Sequence, residues 1–302
     1  MDKKLKYYIE SMRLRTLPLS VAGVILGGLA AVSDGYTRWD VFIAALLTTL
    51  SLQILSNISN ELGDLQKGTD DENRLGPIRS VQSGKLTYKN LLHTMYLFVV
   101  LSAGFGLMLV LVSFHTLCSV RSVAMLTLGG CAIVAAIKYT FGKKTYGYVG
   151  LGDCFVFVFF GLVSVCGVYY LASGTFSLLI LMPAAAIGLL STAVLNINNL
   201  RDVQNDKHHQ KKTMVVRMGE RNGKLYHAAL IGLAFLAMVI FSTIRCSGIE
   251  GYLYLLTLPI FYFHLSKVLS SKGARLDSQL KFLSLSSLLF SVLAGIGFVL
   301  AG

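Results

Sequence analysis

The chain has 302 residues, 54% of them hydrophobic and only 14% charged, with a mean hydropathy of +0.66. A soluble domain carries roughly 25% charged residues, so this composition excludes disorder, a coiled coil and a collagen-like fibre, and it leaves too little polar surface to cover a large soluble core. The net charge of +12 points to an anionic partner or surface, nucleic acid included, until the positions of the charges are considered.

A helix that crosses about 30 Å of hydrocarbon needs about 20 mostly apolar residues. In chain order such stretches lie at 17–34, 41–61, 91–114, 122–140, 151–172, 176–198, 226–244, 251–269 and 282–301. The predicted fold class is all-α: a polytopic membrane protein of nine transmembrane helices, one unit over 1–302. The apolar runs are continuous, which excludes the alternating strands of a barrel. Basic residues precede the first stretch, but further spans follow throughout and no A-x-A-like site is evident, so it reads as a span and not as a cleaved signal.

Every Lys and Arg except Arg38, Arg121 and Arg245 falls on the N-terminal segment or on the segments after an even-numbered span. The positive-inside rule makes that side cytoplasmic, with the N-terminus inside and the C-terminus outside. The basic surplus is then mainly a topology signal. The expected surroundings are a lipid bilayer, with no nucleic-acid partner. Cys118, Cys131, Cys154, Cys166 and Cys246 lack metal or redox spacing, and the six histidines form no H-E-x-x-H pair.

The 15 acids are the scarcer and more informative charges. Glu61, Asp64, Asp70, Asp71 and Glu72 crowd one segment; Asp202 and Asp206 lie in another. Both segments follow directly from a long apolar helix, where carboxylates are costly without cationic partners and mark function. Asn60 and Asp64 are spaced i,i+4 on one helix face; Gly68 permits a turn that folds Asp70 back toward Asp64. Asn198, Asp202 and Asp206 are expected along one stripe of a helix end that extends out of the membrane. Asn60 to Asn198 and Asp64 to Asp202 share one offset of 138 residues. With four spans between them, the segments form a parallel internal four-helix repeat, its first motif at 57–85 and its second at 195–220. Two facing carboxylate half-sites suit a diphosphate held through bridging Mg²⁺, with Arg and Lys on the remaining phosphate oxygens and the asparagines orienting the aspartates. Asp71 and Glu72 are expected to be solvated. No EF-hand or Walker A pattern occurs.

NELGDLQKGTD (60–70) paired with NNLRDVQND (198–206) resembles the UbiA-type membrane prenyltransferase superfamily, over essentially the whole chain. MRLRTLPLS (12–20), RLGPIRSVQSGKLT (74–87), YTFGKKTYGYVGLGDCFVFVFFG (139–161) and NINNLRDVQNDKHHQKKTMVVRMG (196–219) are similar to the 1,4-dihydroxy-2-naphthoate polyprenyltransferases of bacterial menaquinone synthesis. Glu61 departs from the Asp usual at the start of the first motif. The resemblance implies nine helices around a central cavity, in the bacterial cytoplasmic (inner) membrane with the active site toward the cytoplasm. It implies transfer of a polyprenyl group from an allylic diphosphate to the naphthoate, with loss of CO₂, to give demethylmenaquinone.

On this reading Mg²⁺ is held by Asp64, Asp70, Asp202 and Asp206, which neutralise the leaving diphosphate. Arg15, Lys67, Arg79, Lys143 and Arg201 are the cations for diphosphate or aromatic carboxylate, beside Asn60 and Asn198. Tyr139 and Tyr146 would stabilise the allylic cation, their other reading being interfacial belt residues. Asp153 would orient Lys143 or Lys144 or act on the phenolic substrate. Gly23, Gly27, Gly104 and Gly106 are read as helix-packing positions, and Phe155, Phe157, Phe159 and Phe160 as lipid-facing or core. Competing readings are a sister enzyme with another acceptor, such as 4-hydroxybenzoate, and a transporter. A transporter predicts charges and broken helices at the bilayer midplane, whereas these acids cluster at span ends.

Overall fold

The structure is a computed structural model and describes residues 3–69, 75, 76 and 79–302. Among the described residues no strand occurs, and nine helical runs are long and apolar enough to cross a membrane. They are α1 (Leu17–Ser33), α2 (Trp39–Gln66), α3 (Tyr88–Phe114), α4 (Val120–Lys138), α5 (Gly152–Ser173), α6 (Leu178–Arg201), α7 (Met214–Arg245), α8 (Ile249–Ser270) and α9 (Gly273–Ala301). The chain is a multi-pass membrane protein. Helices suit this because backbone N–H and C=O groups in hydrocarbon must pair within the segment. The outer surface is apolar accordingly, with Val100, Leu178, Leu256 and Tyr262 exposed.

Polar side chains close the helix ends. Thr87 caps α3 by accepting from Asn90 N–H, Ser119 caps α4 from Ser122 N–H, and Thr213 caps α7 from Val216 N–H. At the end of α2, Gly68 takes φ +69, while Thr69 N–H bonds to Asp64 O at 3.0 Å and Gly68 N–H to Leu65 O at 3.2 Å. This glycine-terminated cap turns the chain sharply just past Asp64.

The N-terminal segment and the loops after α2, α4, α6 and α8 meet at one end. Lys67 bonds to Thr145, Asn205 Nδ2 donates to Thr69 O at 2.9 Å, Lys212 N–H donates to Tyr148 O at 3.0 Å, and Arg15 pairs with Asp277 at 3.0 Å. The basic segments therefore share one face, as the charge pattern requires. At the opposite end Asp34 takes Arg245 and the Tyr169 hydroxyl.

The two halves of the helix ring pack differently. Between α7, α8 and α9 lies a solid aromatic core in which Phe235 meets both Phe261 and Phe290 edge-on at 5.1 Å. α6 is the most buried span and α4 the least. α1 crosses α5 closely: a Cβ on Gly23 would stand 2.3 Å from Ser164 Oγ, and one on Gly27 2.4 Å from Val165 O. Gly104, in contrast, is exposed with open space before it, and Gly106 lines a cavity; neither is a packing position. Residues Phe157–Cys166 of α5 form a π-helical stretch that the hydropathy pattern does not reveal. α2 and α7 run several residues beyond their apolar stretches and project toward the loop-rich end.

Candidate active site

The first carboxylate loop grows from the end of α2. Asp64 lies in its last turns, 8% exposed. Tyr148 OH donates to Asp64 Oδ1 at 3.1 Å, and Arg79 Nη2 donates to Oδ2 at 3.4 Å. Arg79 comes from the turn that follows the motif, where Glu61 Oε1 accepts from Val81 N–H at 3.2 Å. Glu61 thus braces this turn. One helical turn deeper than Asp64, Asn60 Oδ1 accepts from Thr140 Oγ1 at 3.0 Å. That contact depends on Gly63: a Cβ there would lie 2.4 Å from the Thr140 carbonyl carbon. Lys67 lies over the Tyr148 ring, 3.6 Å from its centroid. Burial pushes the Lys67 ammonium below its ordinary pKa, with Asp64 opposing and Lys211 reinforcing the shift.

The second loop is built differently. A continuous helix through Asn198, Asp202 and Asp206 was expected; instead α6 ends at Arg201 and a short helix, Val203–His208, follows the break at Asp202. Arg201 sits at the break. Its guanidinium is 1% exposed and chelates its neighbour Asp202, Nε to Oδ1 at 2.9 Å and Nη2 to Oδ2 at 2.6 Å. It also donates to Asn198 Oδ1 at 2.7 Å and Asp277 Oδ1 at 2.6 Å. Arg201 was expected to meet substrate but is committed to protein acceptors. Arg15 is likewise paired with Asp277 at 3.0 Å.

Below the two loops lies a cavity of about 600 Å³, within the range that encloses a small organic ligand. Arg13, Arg15, Asn60 and Asn198 line its polar part, and helices α1 to α5 line most of its apolar remainder. Tyr139 and Tyr146 face it, their ring centroids 5.3 Å apart. Tyr146 stacks on Phe155 at 3.9 Å and 17°, and Phe155 continues to Phe159 at 6.1 Å and 19°. Phe155 and Phe159 are therefore cavity residues and not lipid-facing ones.

Asp206 is 3% exposed, and burial together with Asp202 and Asp64 pushes its carboxyl up to about 6, against the pull of Lys211 and Arg201. Lys211 Nζ stands between the loops, 3.8 Å from Asp206 Oδ1 and 4.0 Å from Asp64 Oδ1. Among the described residues no three ligating side chains already stand at metal-binding distance. The donors nevertheless fit a hard divalent cation: carboxylate oxygens from two loops converge on a site where a positive charge already sits.

Of the other predicted residues, Asp70 lies outside the described residues. Lys143 is exposed on the α4–α5 loop. Asp153 accepts from Tyr226 OH at 3.0 Å and, among the described residues, touches neither Lys143 nor Lys144. Three residues at the site were missed: Tyr148, Lys211 and Asp277. Only Asp277 carried a signal, as the lone acid in an otherwise basic segment.

Among the described residues, two carboxylate loops lie above a largely apolar cavity at one end of a bundle of nine membrane helices, the architecture of an integral membrane protein with a buried polar site. The chain matches the UbiA prenyltransferase family over residues 21–288, and it belongs to that family; it is a prenyltransferase. It is similar to the 1,4-dihydroxy-2-naphthoate octaprenyltransferase of Escherichia coli K12, 44% identical over 84% of this chain and 82% of that protein. It is also similar to the protein of that name from Haemophilus influenzae, 40% identical over 99% of this chain and 97% of that one. Among solved structures, a UbiA homologue from Archaeoglobus fulgidus bound to DMAPP and Mg²⁺ shares the fold, with a TM-score of 0.58 at 14% identity over 96% of this chain and 99% of that one.

Proposed function

We propose that this prenyltransferase transfers a polyprenyl group from an allylic diphosphate to 1,4-dihydroxy-2-naphthoate, with loss of the ring carboxylate as CO₂, to give demethylmenaquinone. The observation that carries this is the convergence of Asp64 and Asp206, one from each loop, on a shared cation above an apolar cavity. The names of the 44% and 40% identical relatives supply the acceptor.

Asp64, Asp202 and Asp206 would hold Mg²⁺, with Asp70 added from the sequence pattern. When bound, Mg²⁺ would offset the negative charge that builds on the diphosphate as the allylic C–O bond breaks. The chain's own groups do the rest. Lys67 and Arg79 lie at the loop end, within reach of phosphate oxygens. Asn60 and Asn198 mark the passage from carboxylates to cavity. Tyr139, Tyr146 and Phe155 present ring faces where the allylic carbon would lie, which favours a cation. The largely apolar lining of the cavity would disfavour the water that could capture it. Arg15 and Arg201 act as positioning residues through Asp277 and Asp202. The basic end faces the cytoplasm, where both charged substrates are dissolved or displayed.

Incubation of the purified protein with Mg²⁺, a polyprenyl diphosphate and 1,4-dihydroxy-2-naphthoate should give prenylated product and CO₂. Turnover of 4-hydroxybenzoate in its place would reassign the acceptor. No turnover of any allylic diphosphate would overturn the assignment.

A further inference from the structure

Lys211 is held unlike the other cations of the site. Arg201 chelates Asp202 at 2.9 and 2.6 Å, and Arg79 reaches Asp64 at 3.4 Å. Lys211 Nζ lies 3.8 Å from Asp206 Oδ1 and 4.0 Å from Asp64 Oδ1. A direct ammonium–carboxylate hydrogen bond is about 2.7–2.9 Å, so Nζ is roughly 1 Å too distant from both and hydrogen-bonds to neither. Charge alone holds it between the loops, with the Tyr148 ring centroid 5.1 Å away. Its backbone, in contrast, is anchored. Lys211 N–H donates to Asp206 O at 2.8 Å, and Lys212 N–H to Tyr148 O at 3.0 Å. The flexible four-carbon stem can therefore move the ammonium without moving the loop.

We propose that Lys211 is a place-holder that neutralises Asp64 and Asp206 in the empty site, is displaced when a divalent cation binds them, and then turns its ammonium onto the diphosphate. This rests on the preceding assignment of those aspartates to the metal. Without Lys211, buried Asp206 would have no cation within ion-pair distance among the described residues and Asp64 would have Arg79 alone; an unpaired buried carboxylate is strongly destabilising, and Lys211 removes that cost before substrate arrives. An ammonium and a divalent cation cannot share the space between the same two oxygens, because their charges repel. The displaced ammonium remains tethered beside the site, and the nearest new anion is the diphosphate that binds with the metal. Lysine serves phosphate as a mobile point charge. Lysine and metal would thus neutralise the same two carboxylates in turn.

Reductive methylation of lysine amines in the full-length protein, read residue by residue by mass spectrometry, tests this without turnover. In metal-free protein Lys211 should be protected. With Mn²⁺ alone it should react roughly tenfold faster, and inorganic pyrophosphate added with Mn²⁺ should protect it again; exposed Lys143 reports the unhindered rate throughout. Binding of Mn²⁺ alone, followed by loss of the free-ion resonance signal, gives a second readout. Lys211→Met should bind Mn²⁺ roughly tenfold tighter than wild type, because the competing charge is gone, and Lys211→Arg should stay close to wild type. Continued protection of Lys211 in Mn²⁺, no reprotection by pyrophosphate, or unimproved Mn²⁺ binding by Lys211→Met would each overturn the proposal. Asp206→Asn separates the two layers. If it binds Mn²⁺ as wild type does, the metal assignment itself is wrong. If it binds weakly while Lys211→Met is unchanged, only the place-holder is lost.

Discussion

The two carboxylate loops are related by one sequence offset, yet they are held in opposite ways. Asp202 is locked by a fully buried Arg201 that also grips Asn198 and Asp277, so its orientation is set by charge and geometry together. Asp64 sits on a helix end and receives one tyrosine hydroxyl and one longer contact from Arg79. Asp202 is thus the firmly gripped carboxylate, while Asp64 shares longer contacts with Arg79 at 3.4 Å and Lys211 at 4.0 Å. Similar motifs can hold their carboxylates by different means within one site.

Replacement of a carboxylate on either side should break this arrangement most severely. Asp64→Asn or Asp202→Asn is expected to lower kcat/KM by about 10²-fold or more with unchanged helicity by circular dichroism; wild-type activity in both would refute the metal assignment. Arg201→Met should act on the second loop. It strands buried Asp202 and leaves Asp277 to Arg15 alone, a change worth about 3–5 kcal/mol of stability, and should appear as a clear fall in the thermal unfolding midpoint. Arg79→Met, whose contact with Asp64 is longer, should cost much less.

The pH dependence of metal binding reports on Asp206. Its carboxyl is raised to about 6 by burial and by Asp202 and Asp64, so a proton competes with metal below that pH. Mn²⁺ affinity should fall by up to about tenfold per pH unit below 6 and level off above it. The sign for stability is the reverse. The folded state holds this proton more tightly than the unfolded chain, so metal-free protein should lose stability as pH rises through the window from about 4 to 6. Tyr148→Phe, which removes the hydroxyl shared between Asp64 and Thr69, should weaken metal binding by about tenfold. Smallest of all, Gly129→Val projects into open cavity space. It should raise KM a few-fold for a long-chain diphosphate and leave dimethylallyl diphosphate unaffected; an equal effect on both would place the prenyl tail elsewhere.

Much of this was legible in the chain. Twenty-residue apolar stretches reveal helices because lipid permits few alternatives, and the one-sided cations reveal which loops share an end. The carboxylates stood out because acids are rare in such a composition. Other features were hidden. Tyr148 and Lys211 lie inside the family-like runs 139–161 and 196–219, but nothing in those runs ranks them above neighbours such as Tyr146 and Lys212. The break at Asp202 stayed hidden because i, i+4, i+8 spacing reads as one helix.

By itself the sequence determined that the protein spans a membrane nine times, that its basic segments lie together, and that two acidic motifs follow α2 and α6. Those features depend on local hydropathy and on counting, and they survive any detail of packing. Only the tertiary structure decided which cations are paired with protein acceptors and which stand between the two loops. That choice depends on distances across loops far apart in the chain, where Asp277 captures Arg15 and Arg201 and leaves Lys211 suspended between Asp64 and Asp206.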